Sequence, residues 1–198
     1  MSGRYAIYFT GSGLSLVQDG ESLDGTIGTG DATQSFSTPF TVGEWTHVAM
    51  SWNITNGTAA AYVNGLEVWT SATISNAIEM TGGARIMGSN CKRDTVDGLD
   101  KQFDGYLYDL QFYEQVLGAD DVRQLHAYPG TKAGEGALAH RYTFDDNVND
   151  VVGTAHGNES VDGTYVEAPL YVEDTPLGWW LDEVALHGSS VFFRINLQ

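Results

Sequence analysis

Hydrophobic and polar side chains alternate with a period of two along most of the chain, and short runs of Gly, Asn, Asp and Ser separate the alternating segments. In the clearest segment, residues 44–52, every second residue from Thr46 to Trp52 falls on one face of a strand and the residues between them fall on the other. Alternation interrupted by turn residues at short intervals is typical of many short β-strands. The pattern therefore predicts an all-β fold.

Two Asn-Gly pairs divide the segment 44–70. Asn56-Gly57 and Asn64-Gly65 each lie between strand-like runs. Asn-Gly readily adopts the positive φ angles that both central residues of a type I′ hairpin turn require. We therefore expect a three-stranded meander over residues 44–70, with a type I′ turn at each pair.

Further strands are predicted on both sides of this meander. Residues 5–18 are interpreted as two strands around the Gly11-Ser12-Gly13 turn. Residues 19–35 are polar and rich in glycine, and we interpret them as a long loop or a solvent-exposed hairpin. Later extended segments are predicted at 84–88, 103–114, 137–144, 164–171 and 184–197.

One segment has a helical period instead. Asp120 and Asp121 lie where a first helical turn would begin, and the helix dipole favours anionic side chains there. This indicates one short helix near residues 119–126. The apolar residues that share one stripe of this helix are Leu117, Val122 and Leu125.

Four blocks of sequence resemble those of one protein family. They are GEWTHVAMSW at 43–52, AYVNG at 61–65, FDGYLYDLQFY at 103–113 with LGADDV at 117–122, and LAHRYTFDD at 138–146. As a set they resemble the laminin-G-like, concanavalin A-like lectin-glucanase jelly rolls. The resemblance implies a two-sheet antiparallel jelly-roll β-sandwich.

The blocks stand in a different order from the family's. There, the strand resembling 138–146 opens the sandwich and the strand resembling 103–113 closes it, whereas here the closing strand comes first. We predict one permuted sandwich over residues 1–198, built from the middle and closing strands of 1–128 and the opening strands of 137–198, with a linker at 129–136. The alternatives are a piece of a tandem array, or a subunit that completes its sheet with a neighbour's strand.

Composition narrows the class of partner. The chain has 198 residues, of which 26 are acidic and 9 basic, so the formal net charge is −17. Such a surface repels phosphate backbones and anionic lipids, and we expect no nucleic-acid partner. Because no apolar run approaches the ~18 residues of a membrane span and the first residues lack an apolar core, we expect neither membrane insertion nor a signal peptide in this chain. The single cysteine, Cys91, excludes an internal disulfide.

The sequence contains no recognisable catalytic motif, and we predict that the chain is not an enzyme. Glycan-cleaving jelly rolls need two carboxylates that face one groove. The nearest approach is Asp182-Glu183, and adjacent strand residues point to opposite faces. The motifs of serine hydrolases, zinc proteases and phosphate-binding loops are absent.

Calcium is the candidate cofactor, since hard cations bind clustered carboxylate and carbonyl oxygens and the resemblance implies calcium in many family members. Asn and Asp are also ordinary turn residues, which is the alternative interpretation. The first-choice ligands are Asp145, Asp146, Asn147, Asn149 and Asp150. The second-choice ligands are Asp94, Asp97, Asp100 and Asp104.

Aromatic side chains that stack on sugar faces are the candidate ligand-binding residues. We place Trp179, Trp180 and Trp69 first, and Tyr106 and Tyr108 are further candidates. The alternative is that these rings pack between the sheets or in a subunit contact. Because Trp45 and Trp52 lie on opposite faces of one strand, we expect at least one of them to be core.

These observations predict a non-catalytic binding module outside the cytoplasm, at a cell surface or on a virion. We expect lectin-like adhesion to a glycan or protein, assisted by calcium. The alternative is a structural subunit of a fibre, surface layer or virion that self-associates through sandwich faces or exchanged strands. An accessory or degenerate form of a glycan-degrading enzyme is the third choice.

Overall fold

The computed structural model describes residues 4–9, 15–19, 21–27, 34–53, 55–72, 84–86, 105–133, 138–158, 170–171, 179–181 and 190–197. In these ranges the chain forms short strands and one helix. The strands are β1 (Arg4–Phe9), β2 (Ser15–Asp19), β3 (Ser22–Ile27), β4 (Gln34–Pro39), β5 (Trp45–Asn53), β6 (Thr58–Val63), β7 (Leu66–Ser71), β8 (Ala84–Ile86), β9 (Gly105–Tyr113), β10 (Leu138–Tyr142), β11 (Gly157–Asn158), β12 (Leu170–Tyr171), β13 (Trp179–Leu181) and β14 (Ser190–Leu197), and the helix is α1 (Ala119–Ala127).

The strands form two antiparallel sheets. The first has the order β11-β13-β8-β1-β2-β3-β4, and the second has the order β10-β9-β14-β5-β6-β7, with β12 pairing with β9. These two sheets and the short helix confirm the predicted all-β sandwich class.

Alternating side chains build the core. In β5, Val48, Met50 and Trp52 share one face and are at most 2% exposed. Burying each large apolar side chain stabilises the fold by about 1.5–3 kcal/mol relative to leaving it in water. A slip of one residue would turn all three outward, so the alternation also fixes the register of the strand. The first sheet contributes Leu16, Leu23 and Ile27 to the buried set.

The helix α1 covers part of the other face of the second sheet. Val122 and Leu125 pack in a buried cluster with Ala49, Tyr62 and Tyr113, which explains why β5 is buried on both faces. The carboxylate of an aspartate in its first turn accepts a hydrogen bond from the N–H of the preceding Gly118. The helix has nine residues, and no helix in the described part of the chain is long and apolar enough to cross a bilayer.

The predicted meander is present as β5, β6 and β7, but only one of its turns has the expected type. Asn64 (φ 50°) and Gly65 (φ 77°) both have positive φ, as in a type I′ turn. At Asn56-Gly57 only the glycine has positive φ, and the loop is longer. The Asn53 carboxamide oxygen accepts hydrogen bonds from the N–H groups of the second and third residues after it, which stabilises this longer loop.

The expectation of a loop or solvent-exposed hairpin over residues 19–35 is wrong for the described part of this segment. Residues 22–27 form β3 inside the first sheet, and Leu23 and Ile27 are at most 1% exposed. The residue between them on the buried face is Gly25, and the Phe36 ring of β4 lies directly over it. A glycine covered by a ring from the neighbouring strand gives no hydrophobic signal in the sequence. The alternation of buried and exposed residues in β3 therefore cannot be recognised from the sequence of β3 alone.

Strands from both parts of the chain hydrogen-bond within each sheet. β14 lies between β9 and β5 in the second sheet, and β10 pairs with β9 at its edge. In the first sheet, β13 and β11 extend the edge formed by β8. The later part of the chain therefore supplies a central strand of one sheet and an edge of the other.

Candidate functional site

The structure does not bring the three predicted tryptophans together. Trp69 belongs to β7, at the edge of the second sheet, and its ring contacts Phe36 of β4 with centroids 5.8 Å apart. Trp179 and Trp180 belong to β13, which β8, β1, β2 and β3 separate from β4. Five strand spacings correspond to roughly 24 Å, so one small ligand does not span them. The side chains of Trp179 and Trp180 lie outside the described part of the structure.

Three other aromatic residues form a cluster on the outer face of the second sheet. The Trp45 ring contacts Tyr106 at 6.3 Å and Tyr108 at 6.4 Å between centroids. Trp45 is 39% exposed, and both tyrosines are half-buried. We call Trp45, Tyr106 and Tyr108 the aromatic surface.

Strand register explains why these rings meet. Trp45 of β5 and Tyr106 of β9 both pair with Asn196 of β14, which runs between them. Two strand spacings are roughly 10 Å, a distance that two large side chains on the same face can cover. The two rings therefore meet above the backbone of β14.

A turn after α1 borders the aromatic surface. An added Cβ at Gly130 would lie 3.4 Å from the Tyr108 hydroxyl. Tyr128, at the start of this turn, is largely exposed, and its carbonyl accepts hydrogen bonds from Thr131. The aromatic surface thus has an edge at Gly130, which is formed by backbone.

A buried polar network lies beside the aromatic surface. The Arg141 Nε donates to Asp109 Oδ1 at 2.7 Å, and its Nη2 donates to the Gly130 carbonyl at 2.6 Å. Gln111 donates to Asp109 Oδ2 at 2.8 Å and accepts from the Tyr113 hydroxyl at 2.7 Å. Burial raises the pKa of Tyr113 to about 12, so the phenol stays a hydrogen-bond donor at neutral pH. This network ties residues 130–133 to β9 and β10.

The first-choice calcium residues lie in the loop after β10. Asp145, Asp146, Asn147 and Asn149 are exposed, whereas Asp150 is buried. The Asn147 side-chain oxygen accepts a hydrogen bond from the Asn149 N–H, and the Asn147 side-chain nitrogen donates one to the Asp145 carbonyl. In the described residues, no three acidic, histidine or cysteine side chains converge into a group that could hold a metal ion, although calcium also accepts carbonyl and amide oxygens. Calcium at this loop stays a prediction, and Asp94, Asp97, Asp100 and Asp104 lie outside the described residues.

Asp150 has a role that its sequence context does not reveal. Its Oδ1 accepts from the N–H groups of Arg141, Val152 and Gly153, and its Oδ2 accepts from that of Ala155. His140 Nδ1 lies 2.6 Å from Oδ2. Burial would raise the pKa of Asp150, but the hydrogen bonds, led by those from Gly153 and His140, outweigh it and hold the pKa below its usual value. The carboxylate therefore organises the loop through its ionised form.

A shallow cavity of about 400 Å³ lies on the same outer face, beside the start of α1. Small side chains such as Ser51, Ala60 and Thr70 form much of its lining, and Tyr62 and Val116 also border it. It offers little aromatic area, so it is less suited to stacking than the aromatic surface.

The sequence contained part of the signal for the aromatic surface. Alternation put Trp45 and Trp52 on opposite faces, and the structure confirms that Trp52 is core. Tyr106 and Tyr108 were candidates, but only the order of β9, β14 and β5 brings them to Trp45. That order depends on contacts between distant segments, which local patterns do not encode.

A protein-family model matches this chain, whereas comparison with the curated proteins and with the solved structures gives no match. The matching family model is Laminin_G_3, described as the concanavalin A-like lectin/glucanases superfamily, and it covers residues 2–123, more than half of the chain. The matched residues include all three members of the aromatic surface and end within α1. The chain belongs to this laminin-G-like family of the concanavalin A-like superfamily.

Proposed function

We propose that this chain is a non-catalytic, lectin-like binding module that binds neutral glycans on the aromatic surface. The observation that carries the proposal is the exposed Trp45 ring in contact with Tyr106 and Tyr108 on one sheet face. Laminin G-like domains generally bind glycan or protein ligands and are usually extracellular, while the superfamily also includes glycosidases. We therefore place the module outside the cytoplasm.

The chemistry of the aromatic surface suits a sugar ring. A pyranose has an apolar face of C–H groups and a rim of hydroxyls, and aromatic side chains combine apolar area with low conformational freedom. The tryptophan indole would stack on the apolar face. The tyrosine hydroxyls and the nearby turn at Gly130 would meet the hydroxyl rim.

The net charge of −17 favours a neutral ligand. An acidic protein repels carboxylated or sulfated glycans over distances up to about a Debye length, roughly 8 Å at physiological salt. Neutral hexopyranose chains carry no charge and are not repelled in this way.

The binding test uses a panel of neutral hexasaccharides, with cellohexaose, mannohexaose and maltohexaose as members and a sulfated glycan as the charged comparison. We expect at least one neutral member to bind and Trp45→Ala to weaken its binding at least tenfold, because the stacking ring is lost. The matched control is Val68→Ala, which removes an apolar side chain of similar exposure on β7. Equal weakening in both variants would contradict the proposed site.

A second function, assembly with further copies, is supported by one observation. Among the residues that the structure describes, β7 lies at the edge of the second sheet and exposes Leu66 and Val68, and an edge strand of this kind is a template for pairing with another strand. Analytical ultracentrifugation of the same protein sample that is used for the glycan binding test separates the two functions. A monomer that binds a hexasaccharide supports the module, and a polymer that binds none supports assembly.

Calcium assistance is a separate proposal. If the loop at residues 145–150 binds calcium in the native state only, calcium raises the melting temperature and EGTA lowers it. Asp146→Asn would remove the effect, since Asp146 is an exposed carboxylate of the loop. An identical melting temperature in calcium and in EGTA would remove the proposal.

A further inference from the structure

The strand that carries both tyrosines changes its alternation at Asp109. Towards the carboxyl end of β9, Leu110 and Phe112 are fully buried on the inner face, and Gln111 and Tyr113 face the helix side. Towards the amino end, Leu107 is fully buried and the tyrosines on either side of it meet Trp45 on the outer face. Tyr108 and Asp109 are adjacent and yet lie on the same face.

The pairing of β9 with β14 gives the cause. Gln111 pairs with Phe192 and Tyr108 pairs with Arg194, so two residues of β9 oppose the single residue Phe193 of β14. This is a β-bulge, which inserts one extra residue and reverses the face of everything beyond it. Asp109 has φ 54°, in the left-handed region that aspartate tolerates better than most residues.

Without the bulge, continuous alternation from Phe112 would turn Tyr106 and Tyr108 inward and Leu107 outward. The bulge therefore determines whether the aromatic surface exists. Bulges and strained backbone angles occur where a strand must re-aim a functional side chain.

The Asp109 side chain is held in place from two sides. It is 3% exposed, and it accepts from Arg141 Nε at 2.7 Å and from Gln111 Nε2 at 2.8 Å. Arg141 also donates to the Gly130 carbonyl, in the turn that borders Tyr108. One guanidinium thus connects the bulge on β9 to the edge of the aromatic surface.

We propose that the Asp109 bulge, locked by Arg141, positions Tyr106 and Tyr108 for glycan binding, an inference that rests on the proposed function. Asp109 and Arg141 are positioning residues. Their effect on the ligand passes through the orientation of the two tyrosine rings against Trp45.

The first test needs no ligand. We record the near-ultraviolet circular dichroism spectrum of each protein and of the same protein with Trp45→Phe. The difference between the two spectra isolates the signal of Trp45 coupled to the tyrosines. We expect this difference spectrum to persist in Asp109→Asn, since asparagine tolerates positive φ and its carboxamide oxygen still accepts the hydrogen bond from Arg141. We expect it to disappear in Asp109→Val, since a β-branched residue is a genuine outlier at this φ. Asp120→Asn, which breaks an exposed Asp–Arg pair on α1, is the matched control and leaves the spectrum unchanged.

A folded Asp109→Val with the wild-type difference spectrum would overturn the proposal. If Asp109→Val does not fold, the variant Arg141→Lys tests the proposal instead. Lysine keeps the positive charge but lacks the planar guanidinium, whose several N–H donors reach Asp109 and Gly130 together. A reduced Trp45 signal in Arg141→Lys supports the lock, and an unchanged signal overturns it.

The second test uses the hexasaccharide that binds wild-type protein best in the neutral panel. We expect Asp109→Val, or Arg141→Lys in its place, to weaken binding at least tenfold and Asp109→Asn to stay within threefold. If Trp45→Ala binds this hexasaccharide normally, the proposed function fails while the spectroscopic result on the bulge stands. If Trp45→Ala loses binding but the bulge variants keep both binding and the Trp45 signal, only the positioning inference fails.

Discussion

A single buried carboxylate organises the loop that follows β10. The Asp150 carboxylate accepts hydrogen bonds from the N–H groups of Val152, Gly153 and Ala155, which follow it in the chain. It also contacts His140 of β10. The sequence indicated only that an oxygen-rich side chain stands here, and the calcium prediction rested on that. The direction of its oxygens depends on the backbone path of the loop, which residue types alone do not specify.

The depressed pKa of Asp150 makes a prediction about pH. Its folded-state pKa lies below the ordinary value, so the ionised carboxylate stabilises the fold above about pH 4, and this contribution is lost as the pH falls through the folded pKa. Asp150→Asn should cost about 2 kcal/mol at pH 7, the typical contribution of hydrogen bonds to a charged group.

Urea unfolding of wild type and Asp150→Asn between pH 7 and pH 2.5 measures this difference. We expect the gap in unfolding free energy to narrow as the pH falls below 4, with Glu114→Gln, an exposed carboxylate outside the proposed calcium loop, as the control. A gap that stays constant to pH 2.5 would show that the ionised form of Asp150 contributes nothing.

At the scale of elements, strands with large apolar residues were predictable and strands with small ones were not. β5 alternates large side chains, and Asn64-Gly65 forms the expected turn. β3 uses Gly25 at a buried position, where the covering ring belongs to Phe36 on the next strand. The buried position in β3 is thus filled by a side chain of β4, and the sequence of β3 alone does not show that this position is buried.

Replacing Gly25 tests this packing. A Cβ at residue 25 would lie 2.1 Å from a ring carbon of Phe36, so Gly25→Ala forces the ring to move. We expect a loss of about 1–3 kcal/mol, the usual cost of overpacking. In a Phe36→Ala background the clash is absent, and the same substitution should cost much less. Urea unfolding of the four proteins measures the coupling, and equal costs in both backgrounds would contradict the arrangement.

At the scale of the molecule, the family match and the strand order contribute different information. Residues 2–123 carry the laminin-G-like pattern, yet in the sheet β5 and β9 of that range are separated by β14, from the end of the described chain. The all-β class was predictable because many segments repeat one local pattern, and the two-sheet sandwich was implied by the resemblance of four blocks to the laminin-G-like family. The aromatic surface was not, because it requires β14 between two strands and a bulge that turns two tyrosines outward.

The most direct measurement of the central claim is a fluorescence titration of the best-binding neutral hexasaccharide into wild type and Trp45→Phe. A stacked sugar changes the environment of the indole at residue 45, so we predict a saturable change in tryptophan emission for wild type and its loss in Trp45→Phe. The other four tryptophans remain in both proteins and serve as an internal reference. The same saturable change in Trp45→Phe, or no binding of any neutral hexasaccharide to wild type, would contradict the account.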